Sequence, residues 1–588
     1  MAGDILTTSS INSLIYDYEV NQRKLLISPL ENRKSKYEKL DTAYSDIATK
    51  LTSLKSILSD LKNIDTDSIF NQKTTESSNS AFVSATATNS ASIGAFEFRV
   101  NQLAKNDMVV SNDLATDTLN PITGTHTFTI KTGDGSTGEY ISNIEVEFDT
   151  DETNATAMEK IRNAINSDKA IVDSTVYTAA DTYAGGVSSF TFDINGTETT
   201  ISVNGGGTYE DLINEIVSAI NDDVDGVTAE KIIDDPSTGD VQLRITVDDP
   251  DDYITITSDS GFDLVSHLGL GVTKEKGAAG LVTASVFSPT SGNTQLSLSS
   301  KLSGVDNRIK ELTDIGSSTA LNILGLNMGS SRPTFDQSSD PDTAGFVYSD
   351  ITESNNQLNS KFVFNGLALQ NNLNEVSELT SGVTFNLKST MQDSDNSVGI
   401  SVGIDTAGIK KKIEDFVTKF NDVYTYIKNA SAATSGNRGA LLGDSNAASI
   451  LDSLRNSILT PVSGISTGKL SYFSQIGLSF NYSSGITIAD SNLLESKISG
   501  SLSQVADLFN STSGIGNTLY DKFNPYLGAE GYLSNSKSLF NNNVTRIKDR
   551  MTAVESRIEK SADVLRSRYQ QLQSQLASLT SLQNMLYY

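Results

Sequence analysis

Residue types that carry chemistry are scarce in this 588-residue chain, which has two His, no Cys and no Trp. His126 lies in the alternating run Thr125–Ile130, and His267 stands beside Leu268, far away in sequence. With no Ser nucleophile motif between them, two scattered imidazoles do not make a hydrolytic triad or a zinc set. Gly133-Asp134-Gly135-Ser136-Thr137-Gly138 fits the G-x-G-x-x-G spacing of a dinucleotide loop. Such a loop must open directly into a helix whose backbone N–H groups hold the pyrophosphate. Here Glu139–Phe148 alternates as a strand, so the pattern reads as a hairpin loop. Asn221-Asp222-Asp223-Val224-Asp225-Gly226 begins like a calcium loop, but the twelfth position, which must supply a bidentate Glu, holds Ile232. Asp248-Asp249-Pro250-Asp251-Asp252 reads as a solvated acidic turn. No metal, no cofactor and no catalysis are therefore expected.

The dominant elements are instead two long helical segments, one at each end. From Phe540 the seam runs through Val544, Ile547, Met551, Val554, Ile558, Leu565, Leu572, Leu579, Leu582 and Leu586, with Ser561, Arg568 and Gln575 as polar exceptions. Steps of four and three are heptad spacing, the mark of a helix that buries one face against another helix. Tyr37, Leu40, Tyr44, Ile47, Leu51, Leu54, Leu58 and Leu61 keep the same spacing near the other end. Ser28-Pro29-Leu30-Glu31 reads as a helix start, with Ser28 as cap, Pro29 in the first helical position and Glu31 closing a capping box. Helices from there to Lys62 and from Lys537 to Leu586 would be roughly 50 Å and 75 Å long. Before Ser28, the stripe of Ile11, Leu14, Ile15 and Tyr18 is expected to be marginal helix, or disorder that orders on a partner. The two ends are expected to pair, with the middle looped out as an insertion. Internal packing is expected of Tyr44–Leu61 and Phe540–Ile558, and an intermolecular role of the positions before Ser28 and after about Leu565.

The net charge of -28 is unevenly placed. Residues 1–62 hold nine Lys/Arg against eight Asp/Glu, and residues 533–588 hold eight against four, so the acidity belongs to the middle. That sign argues against nucleic acid or an anionic membrane as partner. No apolar run approaches the ~20 residues of a membrane helix. Met1–Gln22 lacks the basic-then-apolar order of a cleaved secretory peptide, so any exit from the cell is expected by another route.

The length corresponds to about four domains. Phe82–Ala87 and Gly94–Val100 alternate as strands. Two stretches then look alike: Thr125–Ile130 leads to a helical pattern at Ala157–Asn166, and Ser189–Ile194 leads to one at Tyr209–Asn221. Each helix ends in Ile-Asn before more strands, a weak internal repeat of β-β-α-β type. Weak strands are expected at Gly280–Phe287 and Thr294–Leu298, and a linker or exposed loop at Ser330–Gly345. Lys361–Leu369 reads as a hairpin turning at Asn365-Gly366, and Gly382–Lys388 as a strand. Helices follow at Thr406–Ala430, Ala447–Leu459 and Asp490–Phe509, with a hairpin at Phe480–Ile488.

In their order along the chain, several of these stretches resemble the flagellar filament cap proteins, the flagellar hook-associated protein 2 family. The resemblance is strongest at Ala91-Ser92-Ile93-Gly94-Ala95-Phe96-Glu97-Phe98-Arg99-Val100-Asn101-Gln102-Leu103-Ala104. It continues at Phe364-Asn365-Gly366, Gly382–Leu387, Ile413–Tyr424, Leu442-Gly443-Asp444, Gln475-Ile476-Gly477-Leu478 and the terminal heptads. It implies an α+β multidomain fold, in which a terminal α-helical coiled-coil leg domain carries inserted β-rich head domains. Expected divisions are flexible filament-docking helices (1–40 with 565–588), a helical leg (41–75 with 395–564), a β-rich head (76–118 with 345–394) and inserted outer β-rich domains (119–344). The implied role is a homo-oligomeric cap at the filament tip that promotes folding and insertion of exported flagellin. Implied partners are further copies of itself, flagellin, hook–filament junction proteins and an export chaperone, with no nucleic acid and no membrane insertion. Export through the flagellar type III apparatus and an extracellular position at the flagellum tip follow from the same resemblance. The alternative is a secreted adhesin whose acidic β-rich middle contacts a surface.

Overall fold

Helices occupy both ends, with a β-rich middle of several sheets between them. The computed structural model describes residues 7–133, 138–235, 239–434 and 437–586. The chain opens with α1 (Thr8–Leu26) and α2 (Ser28–Lys62). The middle holds β1 (Val83–Ala87), β2 (Gly94–Gln102), β3 (Gly124–Gly133), β4 (Glu139–Phe148), α3 (Asn154–Ser167), β5 (Ile171–Asp173), β6 (Ser188–Ile194), β7 (Thr197–Val203), α4 (Tyr209–Asp223), β8 (Val227–Asp235) and β9 (Asp240–Val247). It continues with β10 (Tyr253–Gly261), β11 (Val272–Lys276), β12 (Val282–Phe287), β13 (Asn293–Ser303), β14 (Ile309–Asp314), β15 (Ser360–Phe364), β16 (Leu367–Asn371), β17 (Val383–Leu387) and β18 (Val398–Ile404). The C-terminal part holds α5 (Thr406–Ala430), α6 (Ser445–Leu459), α7 (Ser491–Asn510), α8 (Ile515–Phe523) and α9 (Tyr532–Leu586), and shorter turns and strands link these elements. Two compact units result, a helical one (Met1–Thr74, Ala87–Ile93, Gly403–Tyr588) and a β-rich one (Thr75–Thr86, Gly94–Val402).

The helical unit has one core. The apolar face of α5, from Ile409 through Ile413, Phe416, Phe420 and Val423 to Ile427, is buried along its length. It packs on Tyr44, Ile47, Leu51, Leu54, Leu58 and Leu61 of α2, with Leu508 and Phe509 of α7 and Leu519 and Phe523 of α8 in the same cluster. The start of α2 differs from the expected capping box. Ser28 is itself helical, Ile27 holds the cap position without a side-chain bond, and Pro29 lies in the first turn. The reason is that the chain arrives already helical: Ile27 N–H bonds Arg23 O at 2.8 Å, and Glu31 N–H bonds Ile27 O at 2.9 Å. The backbone groups a cap would serve are already partnered.

In the β-rich unit, β2 lies between β15 and β18, antiparallel to both. The β15–β16 hairpin turns at Asn365-Gly366 with φ of 49° and 85°, the two positive values a type I′ turn requires. Further along, β3 and β4 pair antiparallel on either side of the glycine motif, whose residues 134–137 lie outside the described residues. The repeat read from sequence is contiguous only in its second unit, β6-β7-α4-β8; in the first, α3 follows β3-β4 but is closed by β12, while β5 pairs with β9 of the second unit. Met158, Ile161 and Ile165 of α3 pack with Phe128, Ile130, Ile144 and Phe148. Leu212, Ile213, Ile216 and Ile220 of α4 pack with Phe190, Phe192, Ile201 and Val203. The Asn ending each helix does the same job. Asn166 Nδ2 donates to Ala284 O (2.8 Å) while its Oδ1 accepts from Ala284 N–H (2.8 Å). Asn221 makes the same pair of bonds with Ala229, at 2.9 and 2.8 Å. This commits Asn221, the first residue of the calcium-like run, to closing the helix onto a strand.

Of the two expected forms, Ser330–Gly345 is the exposed loop and not a linker. Arg332 forms a double hydrogen bond with fully buried Asp107 and donates to Tyr348 O at 2.7 Å, and its guanidinium lies 4.0 Å from the Phe346 ring centre. Composition marked this stretch as loose, but one buried ion pair fastens it, and breaking such a pair leaves a charge stranded in the core.

A seven-stranded sheet, in the order β7-β6-β10-β11-β4-β3-β14, holds both repeat hairpins, with β11 joining them. Burial, reinforced by repulsion from Asp168, pushes the Glu275 carboxyl on β11 up to about 7. A carboxyl whose folded-state pKa exceeds its unfolded value favours folding while protonated. That contribution is complete below the ordinary value of 4.5 and is lost as pH rises through about 7. Glu275→Gln is therefore expected to melt with wild type near about pH 5 and to be more stable by roughly 2 kcal/mol near about pH 8, as read by circular dichroism.

Candidate functional site

The terminal helices form an antiparallel pair within the helical unit. The Phe540 ring lies 6.2 Å from Tyr37 and 5.2 Å, edge-on, from Tyr44. Farther along α9, Arg23 Nε contacts Glu555 at 2.6 Å. Beyond that, Ile11 and Ile15 pack on Ala562, with Tyr18, Leu565 and Tyr569 around them. Rising numbers on α9 thus meet falling numbers on α2 and then α1.

Of the two expected forms, the first segment takes the helical one, with α9 as its cover. Thr7 Oγ1 accepts from Ser10 N–H at its start, and Ile11 and Ile15 are almost fully buried. Its small apolar payload suffices because α9 supplies the missing face.

The seam residues fall into three groups. Tyr44, Ile47, Leu51, Leu54, Leu58, Val544, Ile558 and Ile11 are buried. Tyr18, Tyr37, Leu40, Phe540, Ile547, Met551, Val554 and Leu565 are half-buried. Leu14 (47%), Leu572 (42%), Leu579 (62%) and Leu582 (57%) are exposed, together with Leu576 and Met585. The Leu586 side chain lies outside those described. Cover from α1 ends near Tyr569, and among the described residues nothing sheathes the apolar positions from Leu572 onward.

Hydrogen bonds fix the rim of the buried part. Tyr44 Oη donates to Asp444 Oδ2 at 2.7 Å and accepts from Asn446 Nδ2 at 3.2 Å. Tyr426 Oη donates to Asp46 Oδ2 at 2.7 Å. Burial pushes the Tyr44 hydroxyl up to about 12, and burial with the Asp46 contact raises Tyr426 as well. Both favour folding while neutral; the Tyr44 contribution is whole below about pH 10 and fades as pH rises through about 12.

Sequence spacing missed Ala562, Tyr569 and Leu576. Each follows a polar residue at a strict heptad position, Ser561, Arg568 and Gln575. A straight helix drifts ~20° per heptad, so over three heptads the stripe moves toward the next residue. The signal was the apolar neighbour at each polar exception.

This arrangement is suited to binding helices. The two His stand apart, each hydrogen-bonded within its own surroundings. His126 Nδ1 accepts from Thr319 N–H at 3.1 Å, and His267 Nε2 lies 3.0 Å from Tyr209 Oη. Among the described residues no group of three or more His, Asp or Glu could hold a metal ion, and no helix is long and apolar enough to cross a membrane.

Comparison with known proteins gives matches at both ends. Residues 8–107 match the family model described as the flagellar hook-associated protein 2 N-terminus, and residues 358–581 match that of its C-terminus, together more than half of the chain. The chain is similar to the B-type flagellar hook-associated protein 2 of Pseudomonas aeruginosa PAO1, 24% identical over 388 residues, 64% of this chain and 77% of that protein. It is 27% identical to the A-type protein of Pseudomonas aeruginosa over 295 residues, 49% of this chain and 58% of that one. Among solved structures, the D1-D2-D3 domains of the flagellar cap protein FliD from Escherichia coli align with a TM-score of 0.47 and 17% identity, covering 84% of this chain and 99% of that one.

The split between sealed and open seam is directly measurable. Leu54→Ala is expected to cost about 2–5 kcal/mol in urea unfolding of the helical unit. Leu579→Ala, on the open stretch, is expected to stay within about 0.5 kcal/mol of wild type.

Proposed function

The chain belongs to the flagellar hook-associated protein 2 family, and from that premise we propose that it is a non-enzymatic cap of the flagellar filament. Several copies assemble at the filament tip, outside the cell. The assembly promotes folding and insertion of arriving flagellin subunits and keeps them from being lost to the medium. In this reading, residues 41–75 with 395–564 are the leg and residues 76–118 with 345–394 the head. Residues 119–344 are the outer domains, and 1–40 with 565–588 dock on the filament, a segment whose inner edge also borders the leg and is open to contact between copies.

The observation that carries this reading is the uncovered apolar run Leu572, Leu576, Leu579 and Leu582 on a helix already packed at its base. Each such side chain is worth ~1.5–3 kcal/mol when fully buried, so the run is a store of free energy that a second helix can release. Helices of flagellin, of hook–filament junction proteins or of an export chaperone are partners of the right chemistry. Passage in an unfolded state through the flagellar type III apparatus suits a chain that cannot form disulfides.

The test is a double variant, Leu572→Glu with Leu579→Glu. It is expected to fold with the wild-type melting profile, yet to leave cells with short filaments and unpolymerised flagellin in the medium. Full-length filaments and no released flagellin would overturn the proposal.

A further inference from the structure

The helical unit also carries a cleft of about 380 Å³ whose charge differs from that of the molecule around it. Asn32, Ser35, Lys36 and Lys39 line it from successive turns of α2, and Arg438 and Leu442 from the loop that follows α5. Lys36, Lys39 and Arg438 are exposed, and among the described residues none is paired with a carboxylate. The neighbouring acid Glu38 is occupied by Lys34 at 3.3 Å.

The loop is held in place. Gly439 N–H bonds Ala432 O and Leu441 N–H bonds Ala430 O, both at 2.9 Å. A Cβ at Gly439 would stand 2.0 Å from Ala430 O, so only glycine permits this close approach. Buried Leu441 anchors the loop, while Leu442 beside it is 43% exposed. Three unpaired cations and an apolar side chain thus face outward from a fixed frame.

The two units differ sharply in charge. The helical unit holds 28 Lys/Arg against 25 Asp/Glu, and the β-rich unit 16 against 47. We propose that this basic cleft receives an acidic surface of the β-rich unit of a second copy and is a subunit contact of the assembled cap. The inference rests on the cap reading, which requires several copies to meet. Unpaired cations facing a strongly acidic unit steer encounter and set orientation, and salt weakens them when exposed.

Full-length protein provides the test. Sedimentation velocity from about 50 to about 500 mM salt is expected to show wild-type oligomers that weaken as salt rises. Lys36→Glu with Lys39→Glu and Arg438→Glu is expected to weaken association by at least about tenfold at low salt. The triple Gln variant, which removes the charge without reversing it, is expected to show a smaller loss of the same sign. Carbodiimide coupling in a mixture of isotopically light and heavy copies is expected to join Lys36 or Lys39 of one copy to carboxylates within 75–86 or 94–402 of another. Variants that assemble like wild type, or links from these lysines only to helical-unit carboxylates or only to added flagellin, would overturn the inference and leave the cap reading standing. A wild-type chain that stays monomeric throughout would overturn both.

Discussion

The antiparallel contact of α9 with α2 and α1 governs where the rest of the helical unit goes. Neither partner can bury its stripe alone, and a helix such as α1 draws most of its stability from the packing of its apolar face. Once Phe540 is set against Tyr37 and Tyr44, helical periodicity places Arg23 near Glu555 and Ile11 near Ala562. The same face of α2 that begins at Tyr44 is the ridge on which α5 and α8 pack. One seam therefore serves two purposes. Its lower part is a closed core, and its far end is left open along α9. The change happens within about two turns, between half-buried Tyr569 and exposed Leu576.

Much of this was legible in the sequence, for a reason that can be stated residue by residue. The stripe on α5 is long and unbroken, so its period alone identifies a buried face, and the structure buries all eight of its apolar members. Asn365-Gly366 announces a hairpin because few other pairs accept positive φ twice in succession. The glycine motif at 133 was discounted because a strand follows it, and that strand does pair with the one before.

What was not legible depends on distance in sequence. Arg332 and Asp107 form a buried pair that no local pattern could reveal, so a stretch with two prolines read as either a linker or an exposed loop, with no sign of what fastens it. The order of α1 stayed undecided for the same reason: its stripe looks too meagre until α9 is set beside it. Helix drift concealed Ala562 and Tyr569, since a strict period of 3.5 slides off a straight rod.

Asn166 and Asn221 have a consequence for how such a chain can change over time. Each latches the end of its own helix to a strand through both atoms of one amide group. The hydrophobic contents beneath each helix are likewise separate. The two closures differ in reach: Asn221 bonds Ala229, 8 residues on, whereas Asn166 bonds Ala284, 118 residues on, so the second repeat lies inside the loop that the first one closes. Residues 108–357 lie outside both family models. Within that stretch the nested repeat is the part whose length can change while the outer latch and both chain ends stay in place.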